Sequence, residues 1–472
     1  MYSLTILILG LFPTLLLFGA ARLDAWGIGP SPLTIMGWTW LFGYTLKSIY
    51  LSFAVVYDLP FRPDWIAADI VDVGQMMITV GVISMIVGYL VFASHIAPHR
   101  TRTLPPRPWP VDPRLVYFPF MAISMVLLAI FFYRMGFVQQ IATGRFFASK
   151  FFVDEQGVRH SLGFLSVGGD FLLVLFIYYL AMAKRLTWVN VYTVTMAFLL
   201  LTLFLASRRN VVIALVVLAL IVLAIRSVDR NLLKRLMRLA FIGVIFASLS
   251  LASQVRDASR EGLALSQLNV LHAIRATTVH AFEGAYFIDP AKTAAIVDKV
   301  DATNRFMGLS FVGFIIAPIP RVLWNDKPSV RVGPFVAQQL FGFNSQAGVP
   351  PGAVGEFYLN FGLMGVVLGM MLFGAGLAYL WWRHRNAVDP RFTIVRYAFL
   401  MVAAIYFVNV EFSAAIVIFI KYYIAILIAE QYWRFQLARE GRLGIDHIPR
   451  HMPVSPVRRP RAGLVGGAGS FR

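Results

Sequence analysis

Cysteine is absent from the 472 residues. No disulfide, thiolate zinc site, iron–sulfur cluster or cysteine nucleophile can be built from this chain. Charge is also scarce, at 14% of residues, where a soluble domain carries about 25%. Too little polar surface is present to coat a water-soluble globule. Carboxylates are scarcest, with 23 Asp+Glu against 42 Lys+Arg and a formal charge of +19. The chain has no Asp-x-Asp pair, no P-loop, no His-Glu-x-x-His and no Rossmann glycine fingerprint. Those absences point away from a nucleotide-sugar enzyme and from an ATP-driven pump. What is present is apolar: 59% hydrophobic residues and a mean hydropathy of +0.72. The expected fold is an all-α polytopic membrane protein.

Apolar stretches near the 17–25 residues that cross a bilayer lie at 3–21, 33–57, 73–93, 115–133, 162–183, 188–206, 209–225, 237–253, 357–382, 394–411 and 413–432. That predicts about 11 transmembrane helices. The N-terminal run lacks a basic flank and reads as a first span, not a cleaved signal peptide. Basic residues set the orientation. Segments 94–114, 226–238 and 383–396 are rich in arginine and alternate onto one side, which the positive-inside rule makes cytoplasmic. Loop 58–72, with Asp58, Asp64, Asp69 and Asp72, falls on the other. Much of the +19 is thereby assigned to topology, so no nucleic acid is expected as partner.

Four regions follow. Residues 1–253 form an N-terminal bundle of about eight spans, and 254–356 one large outer loop with an amphipathic helix around Leu268–Phe282. Residues 357–432 hold about three further spans. Residues 433–472, with eight arginines against Glu440 and Asp446, read as a disordered cytoplasmic tail in reach of anionic lipid. The second half of the loop, 306–355, is apolar enough to lie on the membrane or dip into it.

Chemistry concentrates at a few places. Arg208 and Arg209 occupy a very short outer turn, where guanidinium forks suit phosphate oxygens; snorkelling to lipid headgroups is the bland reading. Arg321, Lys327 and Arg331 follow a proline-stiffened run and can converge on one anion, or form a solvated loop with Asp326. Glu356 opens the ninth span, where partial desolvation tunes a general base, or where it is simply a helix-start carboxylate. Asn360 lies one helical turn on, along the same face. Gly365-x-x-x-Gly369 has the spacing of close helix packing. His272 and His280, about 80° apart on a helix, can face one cleft as titrating groups, and Arg275 and Glu283 accompany them. Glu411 sits in the last outer turn. Lys47 and Lys421 are intramembrane charges, functional by default unless paired structurally.

The run Pro320-Arg321…Trp324…Lys327-Pro328, then Gly355-Glu356-Phe357-Tyr358…Asn360-Phe361-Gly362…Gly365, resembles Wzy-type polymerases of oligosaccharide repeat units, the O-antigen polymerases. The resemblance covers about 50 residues, and the Arg208-Arg209 turn and large late loop fit the same layout. It implies a GT-C-like bundle in the bacterial inner membrane, its active site facing the periplasm. The implied activity joins undecaprenyl-diphosphate-linked oligosaccharides into a surface polysaccharide: O-antigen, capsule or exopolysaccharide. No metal or cofactor is implied. Partners would be the lipid-linked oligosaccharide, membrane lipids, and the flippase and chain-length regulator of the same pathway. Arg208, Arg209, Arg321 and Arg331 would stabilise the departing diphosphate, with Lys327 and Asn360 also binding substrate. Glu356 would be first choice as base, followed by His272, His280 and Glu411. No second copy of the arginine loop pattern is found, and Asp64 and Asp69 stay as minor candidates. Alternative functions are an O-antigen ligase and a flippase or transporter of the same lipid-linked oligosaccharide.

Overall fold

A computed structural model describes residues 2–23, 31–57, 70–96, 114–134, 151–153, 159–161, 288–316, 332–342, 348–385 and 390–439, with a few isolated positions besides. The described residues are helical apart from a short antiparallel pair, β1 (Phe151–Val153) with β2 (Arg159–Ser161). The helices are α1 (Tyr2–Leu23), α2 (Pro32–Trp40) running through a π-helical turn (Leu41–Thr45) into α3 (Leu46–Tyr57), α4 (Val71–Ile96) and α5 (Arg114–Arg134). In the second half come α6 (Pro290–Lys299), α7 (Leu309–Ile316), α8 (Gly333–Phe335, continued by a π turn Val336–Leu340), α9 (Gly352–Arg385), α10 (Pro390–Asn409) and α11 (Phe412–Arg439). Among the described residues, four segments are long and apolar enough to cross a membrane: Leu4–Leu23, Val71–His95, Gly352–Arg385 and Phe412–Tyr432. This is the make-up of a helical membrane protein. The expected spans at 188–206, 209–225 and 237–253 lie outside the described residues, as does most of the one at 162–183.

Pro13 lies inside α1 and cannot donate the N–H that would bond the carbonyl four residues back. That carbonyl belongs to Leu9, and the Tyr44 hydroxyl donates to it at 3.1 Å. Thr45 next door donates to the Gly10 carbonyl at 2.8 Å, and its Oγ1 lies 2.7 Å from that of Thr14. Tyr44 and Thr45 both belong to the π turn. The interruption in the second apolar stretch thus supplies the donors that the proline in the first one removes. In an apolar bundle such an exchange is required, because water cannot satisfy the freed groups.

The centre of the bundle is α4 against α9. A Cβ at Gly88 would overlap the Met371 carbonyl, and one at Gly374 would overlap the Met85 carbonyl, so the two backbones touch. Gly81 faces Val354 and Met370, and Gly74 meets the start of α6 at the Pro290 carbonyl. Three glycines spaced by seven make α4 a smooth rail for two partners. Around it pack Trp40, Tyr44, Ile78, Met85, Met370 and Trp381, all buried. On α10 and α11, Arg396 pairs with Glu430.

Candidate functional site

α9 is two helices. Gly362 has φ 62° and ψ −151°, outside the helical region, a conformation open mainly to glycine. The chain folds sharply there. The Phe357 ring lies where a Cβ of Gly369 would be, and its carbonyl lies where a Cβ of Gly365 would be. On one continuous helix residues 357 and 369 would stand about 18 Å apart. The Gly365-x-x-x-Gly369 spacing, expected to admit a neighbouring span, instead admits the chain's own preceding half. The short first half, beginning at Gly352, five residues before the expected start at 357, carries Glu356 and Asn360.

Both are completely buried. Glu356 accepts the Ser310 hydroxyl through Oε1 at 2.8 Å and the Phe412 backbone N–H through Oε2 at 2.6 Å. Asn360 donates through Nδ2 to Ser310 Oγ at 2.7 Å and to the Glu356 carbonyl at 2.8 Å. Its Oδ1 accepts the Gly308 N–H at 2.8 Å. Ser413 donates to the Ser310 carbonyl at 2.6 Å. Phe311, Phe357, Phe407 and Phe412 close around the network with centroid separations of 5.2–5.7 Å. The result is a dry polar knot joining α7, α9 and α11. Glu356 sits at the first turn of α11, where the helix dipole favours a negative group.

Glu411 is placed in the same manner. It precedes α11 and is buried, and its Oε2 accepts the N–H groups of Val332 and Gly333, each at 3.0 Å. Those amides open α8. The Gly352 N–H donates to the Val410 carbonyl at 2.7 Å, which fastens the start of α9 to the same turn. Two carboxylates thus hold α7 and α8 onto the hairpin of α10 and α11. As arranged, Glu356 has both oxygens occupied and no exposed surface. The sequence suggested a partly desolvated base at an interface; the structure shows a fully enclosed, fully bonded carboxylate.

A second buried charge cluster fixes α6. Asp289 caps it, accepting the Ala291 and Lys292 amides at 3.0 and 3.4 Å, as an Asp before Pro at a helix start does. Its other oxygen pairs with Lys47 Nζ at 2.5 Å. Lys47 therefore has a carboxylate partner 242 positions away, which meets the structural alternative for an intramembrane lysine. Lys292 is buried beside it. Burial brings its pKa down to about 8, with Asp289 opposing the shift and Lys47 adding to it.

Among the expected site residues, the structure brings Glu356 and Asn360 together and puts Glu411 in the adjoining turn. Arg208, Arg209, His272, Arg275, His280, Glu283, Arg321, Lys327, Arg331, Asp64 and Asp69 lie outside the described residues, as does the Lys421 side chain. Ser310, Arg305 and Asp289 are not among the candidates that the sequence offers. Asp289-Pro290 had a readable signal, the cap-and-proline start of a helix. Ser310, one hydroxyl in an apolar run, had none. Comparison with protein-family models, curated proteins and solved structures finds no match to the chain.

Proposed function

We propose that the protein is a membrane glycosyltransferase that polymerises polyprenyl-diphosphate-linked oligosaccharide repeat units at the outer face of a bacterial inner membrane, without a metal. The reading rests on the residues that resemble Wzy-type polymerases, and its spans number about eleven in a GT-C-like bundle. The observation that supports it best is the knot of Glu356, Ser310 and Asn360. The signature stretch 355–365 forms a bent, internally bonded unit that holds outer-loop helices against the bundle, as a site built from loop and membrane helix together requires.

In the proposed step, a hydroxyl of the newly delivered unit attacks the anomeric carbon of the growing chain. The new glycosidic bond forms as the bond to the diphosphate oxygen breaks, and that oxygen leaves with the electron pair. The hydroxyl proton passes to a base. A carboxylate with both oxygens bonded and no exposure is a poor acceptor for it, so we assign Glu356 and Glu411 to positioning and give the proton to His272 or His280. Arg208, Arg209, Arg321 and Arg331 take the charge that develops on the diphosphate, with Lys327 beside them.

The test in cells is deletion of the gene followed by analysis of lipid-linked and surface glycans. A polymerase predicts loss of multi-repeat ladders while single repeats are still displayed. Loss of all surface repeats with finished chains accumulating on the lipid carrier would indicate a ligase. Single repeats trapped on the inner leaflet would indicate a transporter.

A further inference from the structure

The turn from Arg305 to Leu309 runs against ordinary backbone preference. Met307 has φ 48° and Gly308 has φ 93°, and a methionine in the left-handed region is strained. The turn is held from behind. Phe306 N–H donates to the Leu359 carbonyl at 3.0 Å, and Gly308 N–H to Asn360 Oδ1 at 2.8 Å. It turns Met307 outward and lays the Arg305 guanidinium across the bend at Gly362. A Cβ at position 362 would lie 2.8 Å from Nη2 and 2.9 Å from Cζ. Glycine thus serves two ends here, the bend and the room for a guanidinium.

Among the described residues that guanidinium makes no hydrogen bond or ion pair, and its Nε is closed off from solvent without a partner. Asp301 is a carboxylate in electrostatic reach of it. Asp301 Oδ1 is already engaged by the backbone and hydroxyl of Thr303 and by the Asn304 amide. The surface around Arg305 is apolar and open: Met307 is 72% exposed, Leu309 70% and Met364 65%. Val312 and Ile315 continue the strip along α7, and Leu368 along α9, a helix able to cross a membrane.

The geometry points to a binding site for one anionic bilayer phospholipid, its phosphate on the terminal nitrogens of Arg305 and its chains along Met307, Leu309 and Met364. A cation with no hydrogen bond or ion pair among the described residues, at the head of an apolar strip, matches the layout of such a lipid, and a guanidinium fork matches phosphate oxygens. Met364 and Leu368 carry the strip onto α9, a helix long and apolar enough to cross a membrane, so acyl chains would reach it from within a bilayer. A bulk phospholipid fits better than a carrier-linked substrate because the strip is open, while Glu356 and Asn360 are sealed behind Gly308. The lipid would brace the bend in α9 from outside. This site stands whether or not the protein is a polymerase.

The test is native mass spectrometry of the full chain extracted from equimolar phosphatidylglycerol and phosphatidylcholine vesicles. The expected result is preferential retention of one phosphatidylglycerol, reduced about tenfold in Arg305→Gln, the loss of one charge-assisted phosphate contact. Arg305→Lys should fall between, because charge is kept and the fork is lost. Equal retention of the two lipids by the wild type, or undiminished phosphatidylglycerol on a folded Arg305→Gln, overturns the site. Should Arg305→Gln fail to fold, the wild-type ratio of the two lipids decides alone. Added undecaprenyl phosphate displacing phosphatidylglycerol at equal concentration would assign the position to the carrier lipid and overturn the proposal as well.

Discussion

Glu356 and Phe412 stand 56 positions apart in the chain, yet the Glu356 carboxylate accepts the Phe412 backbone N–H at 2.6 Å. With Ser310 on the other oxygen, this one side chain joins three helices. Glu356→Ala should strand the Ser310 hydroxyl and the first amide of α11 in a dry site. Losing buried hydrogen bonds of a charged group costs about 2–4 kcal/mol, so the variant should unfold well below the wild type in a detergent thermal-shift assay. Glu356→Gln keeps the shape and should cost less. If Glu356→Gln abolishes activity at unchanged stability, the positioning role is wrong and the base role returns.

Gly362→Ala meets two obstacles, φ 62° and the guanidinium of Arg305. Strain of this kind costs about 1–3 kcal/mol. The expected outcome is a lower melting temperature, partly restored by Arg305→Ala, which removes the clash but not the torsional strain. No restoration would mean that the two residues are not in contact.

Gly88→Val and Gly374→Val should each force α4 and α9 apart. Gly376→Val, two residues on, places its Cβ where nothing lies within 4 Å and serves as the control. Overpacking a close contact costs about 1–3 kcal/mol or more, so both should reduce folded yield while Gly376→Val leaves it nearly unchanged. Equal behaviour of all three would contradict the backbone contact.

Tyr44→Phe removes the donor that serves the Leu9 carbonyl, a loss of about 1 kcal/mol. Pro13→Ala restores the N–H that the carbonyl otherwise lacks. The two substitutions should therefore couple: Tyr44→Phe should cost less in the Pro13→Ala background, measured as a double-mutant cycle. Additive effects would refute the exchange.

Lys292 carries a pKa lowered to about 8 by burial. The folded state binds this proton more weakly than the unfolded chain does. The resulting penalty is fully present below pH 8 and fades as pH rises toward the ordinary lysine value of about 10.5. Relative to Lys292→Met, the wild type should gain stability across that window, with Asp289 and Lys47 as the charged neighbours that set its size. A flat difference between the two from pH 7 to 10 would show that Lys292 is not held in this way.

What the sequence revealed follows from what apolar periodicity can carry. The long runs at 3–21, 73–93, 394–411 and 413–432 appear as helices α1, α4, α10 and α11, and the turn at Asn409–Phe412 lies where Asn409 and Glu411 interrupt the hydrophobic stretch. The second stretch reads as one span, because a π turn has no signature of its own; only Pro13 in the neighbouring helix hints that extra donors are needed. The bend at Gly362 is not legible in the sequence, because glycines in an apolar run read as packing residues and their φ cannot be read from hydropathy. The heptad of Gly74, Gly81 and Gly88 was legible and is the better packing signal. The four-residue spacing puts Glu356 and Asn360 on one helix face, but their enclosure depends on Ser310 and Phe412, whose approach is a matter of tertiary structure alone.

The most direct measurement of the central claim is reconstitution of the purified chain in liposomes with the host's polyprenyl-diphosphate-linked repeat units and EDTA, products being resolved by mass spectrometry. The account predicts a ladder of repeat-length products on the lipid carrier with release of free polyprenyl diphosphate, lost in Arg209→Ala or Arg321→Ala. Single units that stay intact, with no diphosphate released from competent substrate, would contradict it.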